Sequence, residues 1–203
     1  MAARAVLQQA DISRALTRIA HEILEDNKGT DGLVLLGIPT RGVELADRLA
    51  ELLTRIAGGD WVCPVGSLDV TMYRDDLGRN PVRSTAPTRM PGGGIDGRRV
   101  VLVDDVLYSG RTIRAALDAL ADHGRPAAVR LAVLVDRGHR ELPIRPDFVG
   151  KNLPSAATER VNVRLTGTDG VDAVTIEDGE RQHEGPPARL RTLSTARGRG
   201  EAA

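Results

Sequence analysis

Residues 100–112 read Val-Val-Leu-Val-Asp-Asp-Val-Leu-Tyr-Ser-Gly-Arg-Thr: an apolar run, two adjacent carboxylates, then a turn rich in small and hydroxylated residues. That order suits a ligand carrying both a phosphate and a sugar. A loop that opens a helix turns unpaired backbone N–H groups and the positive end of the helix dipole toward its ligand, which favours a phosphate dianion. Ser109 and Thr112 add hydroxyls, and Gly110 lets the backbone come close. Asp104 and Asp105 fall at the carboxyl end of the apolar run, the usual ligand edge of an open α/β sheet, where they can accept hydrogen bonds from sugar hydroxyls. Competing phosphate motifs fail. There is no Gly-x-x-x-x-Gly-Lys-Ser/Thr, and Gly92-Gly93-Gly94 neither follows a strand pattern nor opens a helix.

A strand and a helix must hold that turn, and the flanking patterns supply them. Residues 100–103 read as a buried strand and 111–123 as a helix stopped by Gly124, with a second buried-type strand over 128–135. Upstream, Ile12, Ala15, Leu16, Ile19, Ala20, Ile23 and Leu24 recur at helical spacing within 11–28, and Gly29 supplies the stop. Residues 33–38 form an apolar run ending in Pro39-Thr40-Arg41-Gly42, and 43–57 is again helix-periodic up to Gly58-Gly59. Residues 62–73 alternate as a half-buried strand, and shorter strands are expected at 161–165 and 173–176. Apolar runs alternating with helices predict an α/β fold with a central, mostly parallel sheet flanked by helices. Residues 74–98 show no periodicity, and a structureless loop this long inside a compact domain is either functional or a sign of misassigned elements. One domain is expected over 1–179, followed by a disordered tail rich in Gly, Pro and Arg over 180–203.

Composition bounds the partners. The 28 basic and 28 acidic residues cancel, so no global field draws nucleic acid, and any polyanion site must be local. Aromatic residues make up 2% of the chain, which leaves too few rings for a stacking platform along a single strand. The single cysteine, Cys63, has no internal partner, and no stretch approaches the roughly 20 apolar residues of a membrane helix. A cytoplasmic protein without a membrane partner is expected.

The 100–112 stretch resembles the phosphoribosyl-substrate motif of type I phosphoribosyltransferases, and Gly37-Ile38-Pro39-Thr40-Arg41-Gly42 resembles their pyrophosphate loop. Four further stretches narrow the comparison: residues 14–21, Thr71-Met72-Tyr73-Arg74-Asp75-Asp76, residues 135–144 with their Asp-Arg-Gly-His-Arg core, and Gly150-Lys151-Asn152. Together they resemble the bacterial pyrimidine-operon regulators that double as uracil phosphoribosyltransferases. The likeness runs from about residue 5 to about residue 178.

That resemblance implies the type I phosphoribosyltransferase fold, with a small hood and a flexible loop beside the central sheet. It implies transfer of a phosphoribosyl group from 5-phosphoribosyl 1-pyrophosphate to uracil, giving UMP and pyrophosphate, with Mg²⁺ on the substrate diphosphate. Asp104 and Asp105 would hold the ribose, and Val106, Leu107, Tyr108, Ser109, Gly110, Arg111 and Thr112 would cradle the 5-phosphate. Thr40 and Arg41 would meet pyrophosphate, Arg41 as a catalytic group, and the loop after Arg74 would close as a lid. A cis peptide is expected between Ile38 and Pro39. Residues 145–150 also resemble the base-binding stretch of purine phosphoribosyltransferases, which makes Phe148 and Val149 candidates for the base. Purine enzymes carry a lysine near the position of Asp136, so the acidic residue favours uracil.

As a regulator, the chain would bind the leader mRNA of pyrimidine genes in response to UMP or UTP. Thr17, Arg18, His21, Arg137, His139, Arg140 and Lys151 would form the RNA-binding face, with Thr17, His21 and Arg140 dispensable for UMP synthesis. A homodimer or higher homo-oligomer is expected. A uracil phosphoribosyltransferase without RNA binding and a purine-salvage enzyme are the alternatives, separated by whether those residues form a local basic face and by base competition.

Overall fold

The computed structural model describes residues 3–75 and 87–178. The chain runs β1 (Arg4–Gln8), α1 (Gln9–Asn27), β2 (Leu33–Gly37), α2 (Arg41–Ala57), β3 (Val65–Ser67), a 3₁₀ turn at Thr71–Tyr73, β4 (Arg99–Leu107) and α3 (Arg111–Ala121). It continues through β5 (Ala128–Asp136), β6 (Phe148–Asn152), β7 (Glu159–Arg164), α4 (Thr166–Asp169) and β8 (Ala173–Asp178). Five strands form one parallel sheet in the order β3-β2-β4-β5-β6, with Gly37 beside Val103 and Asp104 beside Val133. A small antiparallel hood of order β1-β8-β7 stands apart from it.

Alternation along β4 shows why the sheet needs helices on both faces. Val101 and Val103 pack with Ile12, Leu16 and Ile19 of α1 and Leu45 and Leu49 of α2. Val100 and Leu102 pack on the other side with Ile113, Ala116 and Leu120 of α3. A strand buried on both faces must be apolar at every position, which is why its pattern reads as a run rather than an alternation. The helix stripes read from sequence are the buried residues of α1: Ile12, Ala15, Leu16, Ile19, Ala20 and Ile23. The backbone N–H of Gln8 donates to the Asp11 carboxylate at 3.0 Å, which fixes the start of α1.

The strand expected over 62–73 is only three residues long. Asp69 ends it: its carboxylate accepts from the backbone N–H of Thr71 at 2.9 Å and from the Thr71 hydroxyl at 2.6 Å, closing a local turn that competes with the ladder. The segment after it is not structureless where it is described. Arg89 forms an isolated bridge with Ser67, and Ile95 is fully buried in the core. Residues 76–86, most of the expected lid, and 179–203, which include the expected tail, lie outside the described residues. The sequence reading missed β1 and did not recognise 148–152 as the fifth parallel strand.

Candidate active site

The chain leaves β2 for β3 on one side and returns to β4 on the other, so the strand order reverses between β2 and β4. A parallel sheet opens a crevice at its carboxyl edge at such a point. Both predicted loops emerge there. A Cβ on Gly37 would lie 2.5 Å from the Gly42 carbonyl oxygen, and one on Gly42 would lie 2.4 Å from the Val103 carbonyl oxygen. Only glycines let the 37–42 loop fold onto itself and against the end of β4. The Ile38 N–H donates to the same Val103 oxygen at 2.9 Å. The cis peptide of this loop is Pro39–Thr40, not Ile38–Pro39: the resemblance identified the loop and missed the bond by one position.

Thr40 precedes the first turn of α2, and Arg41 is its first residue. Arg41 Nε and Nη2 donate to the two carboxylate oxygens of Asp169, at 2.9 and 2.8 Å. Its charge also acts on Asp105, pulling against the burial that raises that carboxyl. Asp104 is 7% exposed. Burial, then the neighbouring Asp105 carboxylate, hold it well above the usual carboxylate range. The backbone N–H of Asp105 donates to Asp104 Oδ1 at 2.9 Å and that of Val106 to Asp105 Oδ1 at 2.8 Å, so local amides orient both side chains.

Beside them lies a cleft of about 320 Å³ lined by Asp104, Val106, Leu107, Tyr108, Ser109, Gly110, Arg111, Thr112 and Ile113. Gly110 takes a left-handed φ of 93° before α3, a conformation that favours glycine. The lining also includes Arg74, Asp75 and Glu141, which the sequence reading did not single out. Arg111 donates to Glu141 at 2.7 Å and to Asp75 at 2.6 Å, while Arg74 reaches the Thr112 hydroxyl at 3.4 Å. The signal for Arg74 and Asp75 was present in the Thr-Met-Tyr-Arg-Asp-Asp stretch. Thr40, Arg41 and Asp105 stand beside this cleft rather than in its lining.

The loop following β5 is bonded to the phosphate turn. Ser109 O accepts from the backbone N–H groups of Glu141 and Leu142, at 3.0 and 3.1 Å, and Arg140 Nη1 donates to Tyr108 O at 2.9 Å. Arg140 also meets Asp136 at 2.6 Å and the Ile144 carbonyl at 2.9 Å. Arg137 lies 4.3 Å above the Tyr108 ring centroid.

Several expected roles change. Phe148 and Val149 do not line the cleft. Side chains alternate along β6, so Phe148 turns into the core beneath α1, and the Val149 carbonyl accepts from Arg18 at 2.9 Å. Arg137 is 8% exposed, its guanidinium spent on Ser155, Ala156, Glu159 and Tyr108, so it holds the loop and offers no free surface. Arg140 is similarly committed. Asp136 gives its carboxylate to Arg140 and to the Gly138 N–H, so it is no free reader of a base. Thr17, Arg18, His21, His139 and Lys151 remain exposed, although Arg18 spends one nitrogen on the carbonyls of Val149 and Gly150.

Among the described residues no cluster of three or more His, Cys, Asp or Glu side chains could cage a metal. The carboxylates of Asp104 in the cleft and Asp105 beside it fit Mg²⁺ that arrives with phosphate oxygens and keeps its own waters. No helix among the described residues is long and apolar enough to cross a membrane.

The family model for the phosphoribosyl transferase domain matches residues 3–164. The bifunctional protein PyrR of Leifsonia xyli subsp. xyli is 72% identical over 182 residues, covering 88% of this chain and 99% of its own. The PyrR of Streptomyces coelicolor is 67% identical over 174 residues, covering 86% and 89%. The hypoxanthine phosphoribosyltransferase of Trypanosoma cruzi superposes with a TM-score of 0.65 at 20% identity, covering 87% and 97%. At that identity the likeness is one of fold.

Proposed function

The chain belongs to the phosphoribosyltransferase family and, within it, to the PyrR bifunctional proteins, and on that premise we propose how its residues divide the two tasks. It transfers a phosphoribosyl group to uracil, giving UMP and pyrophosphate, and it regulates pyrimidine genes by binding RNA in response to uridine nucleotides. The observation that carries this reading is an Asp-Asp pair, Asp104 buried and Asp105 half-buried, beside a phosphate turn at the sheet's switch point, in a chain 72% identical to a bifunctional PyrR.

As pyrophosphate departs from C1 of the ribose, positive charge develops on the sugar, so the protein must position the partners and stabilise charge rather than supply a nucleophile. Asp104 and Asp105 accept hydrogen bonds from the ribose hydroxyls. Residues 106–112 cradle the 5-phosphate with backbone N–H groups and the hydroxyls of Ser109 and Thr112. Thr40 and Arg41 meet the pyrophosphate, and Tyr108 presents the one aromatic ring of the cleft lining. Mg²⁺ bound to the diphosphate would neutralise part of the leaving group's charge. RNA lies along the exposed Thr17, Arg18, His21 and Lys151 of α1 and β6 and reaches His139, while Arg137 and Arg140 hold the loop that carries His139. The protein works in the cytoplasm as a homodimer or higher homo-oligomer.

The test assays both activities on one preparation: UMP formation from uracil and 5-phosphoribosyl 1-pyrophosphate with hypoxanthine as competitor, and filter binding of the pyrimidine leader RNA with and without UMP. Uracil turnover and UMP-dependent RNA retention are expected together. Retention of RNA that ignores UMP, or preferential turnover of hypoxanthine, would overturn the reading.

A further inference from the structure

The hood is stitched to α2 by two ion pairs of the same chemistry in different places. Arg48 lies two turns into α2 and is forked by Asp172 at 2.7 and 2.8 Å, with Glu44 at 2.6 Å on its other side. Asp172 in turn accepts from the backbone N–H and hydroxyl of Thr166, at 2.7 and 2.8 Å. This pair ties a helix to a loop. Arg41 instead occupies the first position of α2, directly after the glycine-locked loop, and its charge is felt at Asp105. Its partner Asp169 is itself fixed, because Asp169 Oδ2 accepts the Leu165 N–H at 2.9 Å and the Asp169 N–H donates to Leu165 O at 2.6 Å.

A guanidinium carries five N–H donors in one rigid plane. Asp169 takes the edge formed by Nε and Nη2, so planarity turns the remaining N–H groups away from it, on a side chain still 32% exposed. We propose that Asp169 is a positioning residue: it holds Arg41 in advance in the orientation that receives pyrophosphate. The proposal rests on the reading of Arg41 as a pyrophosphate contact. A free arginine must give up rotamer freedom when it grips an anion, whereas one already forked by Asp169 has lost that freedom on folding. The hood thereby contributes to substrate affinity through a residue that never touches the substrate. Because the Arg41 contact forms with the bound diphosphate as well as with the departing one, losing its orientation weakens binding and leaves turnover at saturation alone.

The experiment is steady-state UMP synthesis by the full chain with 5-phosphoribosyl 1-pyrophosphate varied at saturating uracil, together with product inhibition by pyrophosphate. Asp169→Asn should raise the KM for 5-phosphoribosyl 1-pyrophosphate and the pyrophosphate inhibition constant together, by about tenfold each, with kcat within about twofold of wild type. Asp169→Glu, which can restore the fork, should recover most of the loss, and it keeps the question answerable if Asp169→Asn folds poorly. Asp172→Asn should lower Tm and leave both constants alone. Matching behaviour of Asp169→Asn and Asp172→Asn would overturn the proposal, as would tighter pyrophosphate binding in Asp169→Asn, which would make Asp169 a group that withholds Arg41. Arg41→Ala separates the two layers. If it leaves both constants unchanged, the reading of Arg41 falls and the positioning role with it; if it raises them while Asp169→Asn does not, only the positioning role falls.

Discussion

Residues 37–42 and 107–112 leave adjacent strands at the same edge of the sheet, yet they are held by opposite means. The first loop is locked by backbone contact, glycine against carbonyl, and its one charged side chain is tied to the hood. The second is open to the cleft and joined to residues 136–144 by main-chain hydrogen bonds, two arginines and an ion pair. A loop fixed by close packing has one conformation and suits a leaving group whose position must not vary. A loop fixed by polar contacts to a second loop transmits its state to that neighbour, here the loop carrying His139 of the proposed RNA face. On the proposed division of labour, the pyrophosphate contact thus rests on steric rigidity, and the link between the phosphate turn and the loop of His139 on hydrogen bonds.

Adding one methyl group to each loop tests the contrast most severely. In Gly42→Ala the new Cβ would meet the Val103 carbonyl oxygen at 2.4 Å, and its nearest neighbours are all backbone atoms of Val103 and Asp104, with no flexible side chain to yield. It should cost about 3 kcal/mol of stability. Displacing the loop should also cut kcat/KM for UMP synthesis about 10²-fold. In Gly110→Ala the nearest atoms are side chains of Ile144 and Leu142 at 3.4 Å, so the penalty is the left-handed φ alone, about 1 kcal/mol. Urea melts of both variants with activity measured on the folded fraction decide it; equal losses would erase the distinction between the loops.

Between the loops sits Asp104, and its burial predicts a conflict of stability with function. Its carboxyl is held well above the ordinary value of 3.8, so the stability it contributes is full below that value and is lost as pH rises toward the raised one. Asp104→Asn carries no such loss. The variant should lose about 10²-fold in kcat/KM while its Tm advantage over wild type opens as pH rises above about 4. The hood seam behaves oppositely: hydrogen bonds from Arg48 hold Asp172 down at about 2, so its contribution is present above 3.8 and is lost as pH falls toward 2. The Tm deficit of Asp172→Asn should therefore shrink in acid. Thermal melts across pH check both signs.

The RNA face sharpens the comparison from the other side. Thr17, His21 and Lys151 are exposed and belong to neither loop, so Thr17→Ala, His21→Ala and Lys151→Ala combined should weaken RNA binding by about tenfold and flatten its salt dependence. UMP synthesis should stay within about twofold of wild type. Arg140→Ala should impair both activities, because its guanidinium holds the Tyr108 carbonyl in the phosphate turn. This revises the expectation that Arg140 serves RNA alone. Filter binding and UMP formation on the same preparations distinguish the two classes.

How legible each part was in the sequence follows from what kind of contact fixes it. The phosphate turn and the parallel α/β class were readable because a buried strand, an Asp-Asp pair and a helix start are local patterns; the strand order, set by contacts between distant segments, was not. Burial of Phe148 was not, since it depends on the register of β6 against β5, where Phe148 pairs with Ala132, and on which face α1 covers. Asp169 carried no local signal either: its partner is 128 residues away. Arg137 and Arg140 were assigned to RNA by the resemblance of the Asp-Arg-Gly-His-Arg stretch, and a sequence motif does not show the carbonyls that consume a guanidinium. The glycines of 37–42 were noticed as a motif, but their reason is the carbonyl of Val103 on another strand.

The smallest expected effect bears on the bond between the second loop and its neighbour. Glu141 accepts from Arg111 at 2.7 Å, across the mouth of the phosphate turn, and its own N–H donates to Ser109 O at 3.0 Å. Its side chain is half exposed, so the pair with Arg111 adds little to stability. What it does provide is a connection: a phosphate drawn to Arg111 competes with the Glu141 carboxylate for the same guanidinium, and any shift in Glu141 moves a loop already hydrogen-bonded to residues 107–109. Glu141→Gln keeps the main-chain bonds and removes the charge, so it should leave RNA affinity without UMP unchanged. The factor by which UMP alters RNA affinity should fall about two- to threefold. Reciprocity supplies an internal check, because RNA must alter UMP affinity by the same factor in each protein. Titrating RNA at several UMP concentrations, and UMP with and without RNA, measures both. A coupling factor that stays at the wild-type value in Glu141→Gln would mean that the two loops, although bonded, respond to their ligands independently.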